Sequence, residues 1–96
     1  MRRDADTPRK MLDDPVIRAK ARVALQRGTL PARLPDRTWG GYGVGVKCAI
    51  CELPVTKQEV EFEIEYGEGH HPGIDTFHVH VRCFAAWEFE RTLGDA

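Results

Sequence analysis

The plainest pattern in the chain is the strict alternation of residues 59–66, EVEFEIEY. Val60, Phe62, Ile64 and Tyr66 fall on one side and Glu59, Glu61, Glu63 and Glu65 on the other, the period of a half-buried strand. The expectation is a strand with one apolar face and one wet, acidic face. On that reading Glu61→Lys and Glu63→Lys are close to neutral for stability. A second alternation sets Phe77, Val79 and Val81 against His78, His80 and Arg82. It predicts the returning strand of an antiparallel hairpin, TFHVHV, with GEGHHPGID as a polar connecting loop. From Cys83 the spacing turns helical. A helix over residues 83–93 is expected, ending before Gly94, with Phe84, Trp87, Ala86 and Phe89 on its buried side. Glu88 and Arg91 fall at a spacing that lets them pair.

Upstream, DDPVIRAKARVALQRG carries helix punctuation. Asp13 or Asp14 suits the cap, Pro15 the first helical position and Gly28 the position after the end. This predicts a helix over 14–27. Ile17, Ala21, Ala24 and Leu25 form its apolar side, and Arg18 and Arg22 share another face. Between helix and strand, Pro31, Pro35 and the glycines at 40, 41, 43 and 45 argue against regular structure. Trp39 is expected to pin that loop to the core. GYGVGVK is a weak match to a phosphate-cradling loop, which needs Gly-Lys-Ser/Thr opening a helix. Here Lys47 leads into Cys48, so no phosphate site is expected.

With 96 residues the chain is sized for one domain. No run approaches the roughly 18 apolar residues of a membrane helix. The first 15 residues have no apolar stretch of the kind a secretory leader needs. A cytoplasmic protein is the expectation. Charge changes the picture more. Residues 1–37 hold ten Lys/Arg against five Asp, whereas residues 38–96 hold four against ten Asp/Glu. The near-neutral total conceals a basic front and an acidic back. The division expected is a disordered basic arm (1–12), a helix and Gly/Pro-rich loop packing on the module (13–47), and a metal-binding module (48–96).

The cysteines are three, an odd number that argues against a disulfide framework. Cys48 and Cys51 form a CxxC, and His80 and Cys83 form an HxxC, with 28 residues between Cys51 and His80. All three thiols and one imidazole thus fall at metal-ligand spacing, a soft donor set suited to one tetrahedral structural zinc ion. Iron is less favoured by a mixed Cys₃His set. A redox CxxC or merely buried thiols are the plainer alternatives. The helix start favours the thiolate of Cys83. His80 is preferred to His78 as the nitrogen donor, with the strand bending after Val79 to free it. His78 is then a cross-strand partner for a glutamate, and His70 and His71 are solvated loop residues.

This arrangement of knuckle, antiparallel hairpin and helix bearing the last ligand resembles a treble-clef zinc finger. The spacing is similar to that of the poly(ADP-ribose) polymerase-type finger, and HxxC followed by aromatic residues is similar to the first half of a LIM domain. The ending HVRCFAAWEFER is also similar to small bacterial zinc-finger-like proteins. The likeness covers residues 48–93. It implies an α+β fold and Cys48, Cys51, His80 and Cys83 as zinc ligands. Two departures stand out. Glutamates line the strand where polymerase-type fingers carry DNA-gripping basic residues, and Glu52 follows Cys51 where knuckles often have glycine.

Four protein ligands leave a zinc ion no open position for substrate, so no enzymatic activity is expected. A protein-interaction or adaptor module is the first reading, presenting the glutamate face or the segment from Trp39 to Lys47 to an unknown protein partner. The alternative is a DNA- or RNA-binding regulator that contacts phosphates through Arg18, Lys20, Arg22 and Arg27, aided by the basic arm.

Overall fold

The computed structural model describes residues 14–67 and 73–95. The proposed arm and the histidines at 70 and 71 lie outside them. Helix α1 spans Pro15–Arg27. Its start is fixed by Asp14, whose side chain accepts from the N–H groups of Val16 and Ile17 at 3.0 and 3.2 Å. Its end is fixed by Gly28 at φ 70°, a left-handed conformation that costs glycine nothing. Three strands follow: β1 (Arg37–Tyr42), β2 (Val60–Gly67) and β3 (Ile74–His80). They form an antiparallel sheet in the order β1-β2-β3. Helix α2 (Val81–Asp95) begins on the residue after β3 ends. The described fold is a small α+β arrangement of two helices and one sheet. No described helix is long and apolar enough to cross a membrane.

Strand β1 corrects the expectation of an irregular loop. It pairs along its whole length with β2, from Arg37 opposite Glu65 to Tyr42 opposite Val60. Proline and glycine remove the apolar period that announces a strand, but an edge strand needs only one ladder. Both ends of this one are tied down. At one end Asp36 accepts from the Gly67 N–H at 2.7 Å and is gripped by Arg33. At the other the Gly43 N–H donates to the Glu59 carbonyl at 2.8 Å. A Cβ on Gly43 would overlap the Val55 and Thr56 carbonyls, so glycine is there for close backbone approach. All six β1 residues are exposed, and Trp39, the expected core anchor, is 55% exposed. Its register partner is Glu63, so it lies on the polar face of the sheet.

The core lies on the opposite face. Ile64, Tyr66 and Val79 are buried there beneath Cys83, Ala86 and Trp87 of α2. Val60, assigned to the same face, is half exposed because it sits at the strand's end. Phe84 meets Phe62 edge-on and stacks on Trp87, each with centroids 5.5 Å apart. Helix α1 lays Ile17, Ala21 and Ala24 into the same core and packs against α2. That contact holds a buried carboxylate. Glu90 accepts from Arg18 Nε at 2.8 Å and Arg22 Nη1 at 3.2 Å. Burial works to raise the pKa of Glu90, but the two arginines outweigh it and hold the group below the ordinary carboxylate range.

The acidic face is not uniformly wet. Glu61 is only 5% exposed, and both its carboxylate oxygens lie within 3.1 Å of His78 Nδ1. Alternation assigns a residue to a face but not the depth at which it sits, and Glu61 lies at the end of the ladder nearest the cysteines. Glu61→Lys is therefore expected to cost about 1–3 kcal/mol, because it places an ammonium group where a hydrogen-bonded carboxylate is buried. Thermal denaturation checks this against Glu65→Lys, and equal melting temperatures would show that the Glu61 site is open.

Candidate metal centre

Residues 45–55 fold back on themselves as a tight knuckle. The Cys48 N–H donates to the Leu53 carbonyl at 2.8 Å and the Val55 N–H to the Val46 carbonyl at 2.9 Å. Four residues turn the corner, and the Glu52 N–H closes it on the Cys48 carbonyl at 2.9 Å. Glu52 takes φ 68°, the only described non-glycine residue at positive φ. The turn that knuckles often give to glycine keeps its shape here, at a cost of roughly 1–2 kcal/mol for a side chain in that region. The knuckle docks on β3 through the Ala49 N–H, which donates to the His78 carbonyl at 2.9 Å.

That docking brings the two motifs together. The sulfurs of Cys48, Cys51 and Cys83 and one ring nitrogen of His80 all lie within 4.8 Å of one another, and all four residues are buried. His80 Nδ1 is 3.4 Å from Cys51 Sγ and 3.8 Å from Cys83 Sγ. A tetrahedron with Zn–S near 2.3 Å and Zn–N near 2.0–2.1 Å has S···N edges of about 3.6 Å. The two distances from His80 Nδ1 bracket that value, and the donor set suits a four-coordinate ion. The cysteines form no disulfide.

The expected bend after Val79 is not how His80 gets there. His80 stays in the ladder opposite Glu61, and its N–H points at Cys48 Sγ at 3.4 Å. The turn comes one step later, where Val81 opens α2. His80 closes the strand, and Cys83 falls in the helix's first turn. Starting the helix at Val81 rather than Cys83 puts imidazole and thiol on the same side of that junction. His78 shares the face of β3 that carries His80 but pairs with Glu61, diagonal to it across the ladder.

Electrostatics within the cluster are uneven. Cys48 Sγ also accepts from the Ile50 and Cys51 N–H groups at 3.4 and 3.5 Å. A hydrogen bond from the Cys83 thiol, together with these N–H groups, brings the Cys48 pKa down to about 4. The same thiol–thiolate bond pushes Cys83 up, with burial adding to it, and burial pushes Cys51 up. Three N–H groups, of Ile50, Cys51 and His80, thus converge on Cys48 Sγ and favour its thiolate over that of the cysteine at the helix start.

Composition and spacing did not point to Glu59. Its Oε1 lies 3.2 Å from His80 Nε2 and accepts from the Thr56 N–H at 2.9 Å, and its Oε2 is 3.7 Å from Arg82 Nη1. The Thr56 N–H chiefly, with His80 adding to it, holds Glu59 below the ordinary carboxylate range. With Nδ1 given to an ion, Nε2 would carry the hydrogen that Glu59 accepts. Glu59 sits one residue before β2, two positions from the register partner of His80, and alternation alone does not give that register.

The basic residues of α1 are differently placed. Arg18 and Arg22 converge on Glu90, and Lys20 Nζ reaches the Cys51 carbonyl at 3.4 Å. Arg27 is exposed in the last turn. Lys20 and Arg27 also line a cleft between α1 and the knuckle, together with Val23 and Ile50. No protein-family model matches the chain, and no curated protein or solved structure matches it.

Proposed function

We propose that the chain is a treble-clef-like module built around one structural zinc ion, held by Cys48, Cys51, His80 and Cys83, and that it works as a non-enzymatic protein-interaction or adaptor module. The observation that carries the reading is the convergence of four buried soft donors from the knuckle and the strand–helix junction at tetrahedral spacing. The ion would supply a cross-link between these two parts of the chain. Four protein donors fill a tetrahedral shell, which supports structural use over catalysis. Glu59 acts through His80 as a positioning residue, fixing the ring and its tautomer. Partner contact is assigned to the outer edge of β1 and the segment after it, where Trp39, Tyr42 and Val44 are exposed beside unpaired strand backbone. The engagement of Arg18 and Arg22 by Glu90 favours this over the phosphate-binding alternative.

Elemental analysis of the purified chain tests the zinc reading, with one equivalent expected and none overturning it. A photo-crosslinking residue at Tyr42, compared with one at Gln26 on α1, tests the surface. A discrete protein adduct from Tyr42 alone is expected. Tight binding to random duplex DNA that weakens steeply with salt, with no such adduct, would favour the regulator.

Two outcomes follow from the centre itself. Glu59→Gln is expected to weaken zinc binding about 10–100-fold in chelator competition while leaving the stoichiometry at one. Unchanged affinity would remove Glu59 from the centre. Zinc must also displace the protons of the cysteine thiols, most of which are protonated at neutral pH in the metal-free chain. Raising the pH removes that competition, so affinity should increase from about pH 6 to about pH 8, with protons released on binding. Calorimetry in buffers of different ionisation enthalpy reads the release.

A further inference from the structure

A second group of donors lies on the polar face of the sheet, beside the cysteine cluster but sharing no residue with it. Glu61, Glu63 and His78 each present a ligand atom within 4.8 Å of the others. The ladder sets this geometry. Glu63 is the register partner of His78, and Glu61 is two residues along the same strand on the same face. Two adjacent backbones therefore hold the three side chains, rather than a loop. Glu61 is nine-tenths buried, yet among the described residues neither it nor Glu63 is paired with a lysine or arginine. Among the described residues, His78 Nδ1, 2.9 Å away, is the group that meets the Glu61 carboxylate. A carboxylate this deep gains most from a cation it can touch directly.

From this arrangement we infer a second metal site, in which Glu61, Glu63 and His78 bind a divalent transition-metal ion. One imidazole and two carboxylates are borderline donors. They select Mn²⁺, Fe²⁺, Co²⁺, Ni²⁺ or Zn²⁺ over Mg²⁺ and Ca²⁺, which prefer oxygen alone. Binding replaces the His78–Glu61 hydrogen bond, with His78 turning its Nδ1 lone pair to the ion and carrying its hydrogen on Nε2. This centre differs from the cysteine one in kind. Three protein ligands leave positions open to water or to a donor carried by a partner, so the ion exchanges readily.

The test uses the full chain loaded with one equivalent of zinc and titrated with Co²⁺. The expected result is a second, weaker equivalent. Its absorption is the weak band of oxygen and nitrogen ligation, without the intense thiolate-to-cobalt band. Paramagnetic shifts should centre on the backbone signals of residues 61, 63 and 78. Glu63→Gln should weaken this equivalent by more than the roughly tenfold that losing even an outer-shell partner costs, and His78→Gln should abolish it. In both variants the zinc equivalent is retained. Because these two side chains are partly exposed, the paramagnetic map of the unaltered chain decides the matter if either variant folds poorly. No localised shift at millimolar Co²⁺, or equal Co²⁺ affinity in both variants, overturns the site. Absence of the tight zinc equivalent would instead defeat the structural-zinc reading.

Discussion

Cys48→Ser is expected to leave residues 48–93 without a stable fold and to remove stoichiometric zinc. Cys48 has the most to lose of the four donors, because its sulfur also gathers the N–H groups of Ile50, Cys51 and His80. Serine is shorter and a poor zinc donor, so the knuckle would lose both the proposed ion and its centre. Cys51→Ser and His80→Ala should act in the same direction. The scale follows from the size of the effect. Structural zinc contributes on the order of 10–16 kcal/mol of apparent binding free energy, against a typical domain stability of roughly 5–15 kcal/mol. The remaining core cannot absorb that loss, since Cys48, Cys51 and Cys83 are themselves among its buried members. Circular dichroism and the dispersion of amide proton signals read the outcome. A strong chelator should reproduce it in the unaltered chain, and zinc should reverse it. Native-like dispersion in metal-free buffer would sink the claim that an ion holds this fold.

The second large effect belongs to Trp87. It is fully buried and joins α2 to the sheet through Phe84, on which it stacks. Trp87→Ala is expected to cost about 3–5 kcal/mol, the range for emptying an aromatic site in a packed core. Each kcal/mol lowers the melting temperature of a domain this size by roughly 4–8 °C, so the change is easily measured. Trp87→Phe should be much milder than the volume lost suggests. The indole N–H is buried with no hydrogen-bond partner among the described residues, and phenylalanine removes that unmet donor along with the ring's second cycle. Equal damage from the two substitutions would mean that the N–H is satisfied after all.

How much of this was readable beforehand depends on the kind of signal each element carries. Helix α1 was legible to within one residue, expected over 14–27 and found over Pro15–Arg27, because Asp14 and Gly28 act locally. Strand β2 was legible because its alternation is unbroken, and its bounds shift by one residue at each end. The donor quartet could be selected from spacing because so few residue types bind zinc. Strand β1 was not legible. Its own glycines, Gly40 and Gly41, lie on an open one-sided ladder, and Gly43 just beyond it serves close approach; neither leaves an apolar period. Trp39 was misplaced for the same reason, since an aromatic residue in an assumed loop had only the core to go to. Glu61, Glu59 and Glu90 escaped because their roles depend on register and on helix packing. Glu90 is one charge in a helical pattern until α1 sets Arg18 and Arg22 against it. The bend expected after Val79 was a reasonable device for turning His80, but starting α2 at Val81 achieves the same end without breaking the ladder.

Each half of the centre can act before the fold exists. Cys48 and Cys51 are neighbours along the chain, as are His80 and Cys83, while 28 residues separate the pairs. Each pair is available to an ion before any sheet exists. Uptake should therefore proceed in two stages, rapid capture by one pair and then ring closure as the second pair arrives. The entropy of that closure changes by only about 0.6 kcal/mol for each doubling of the intervening length. Lengthening the connection between β2 and β3 would delay the second stage while barely shifting the final equilibrium. The metal would then serve as an early nucleus around which the sheet assembles, as well as the clasp on the finished fold.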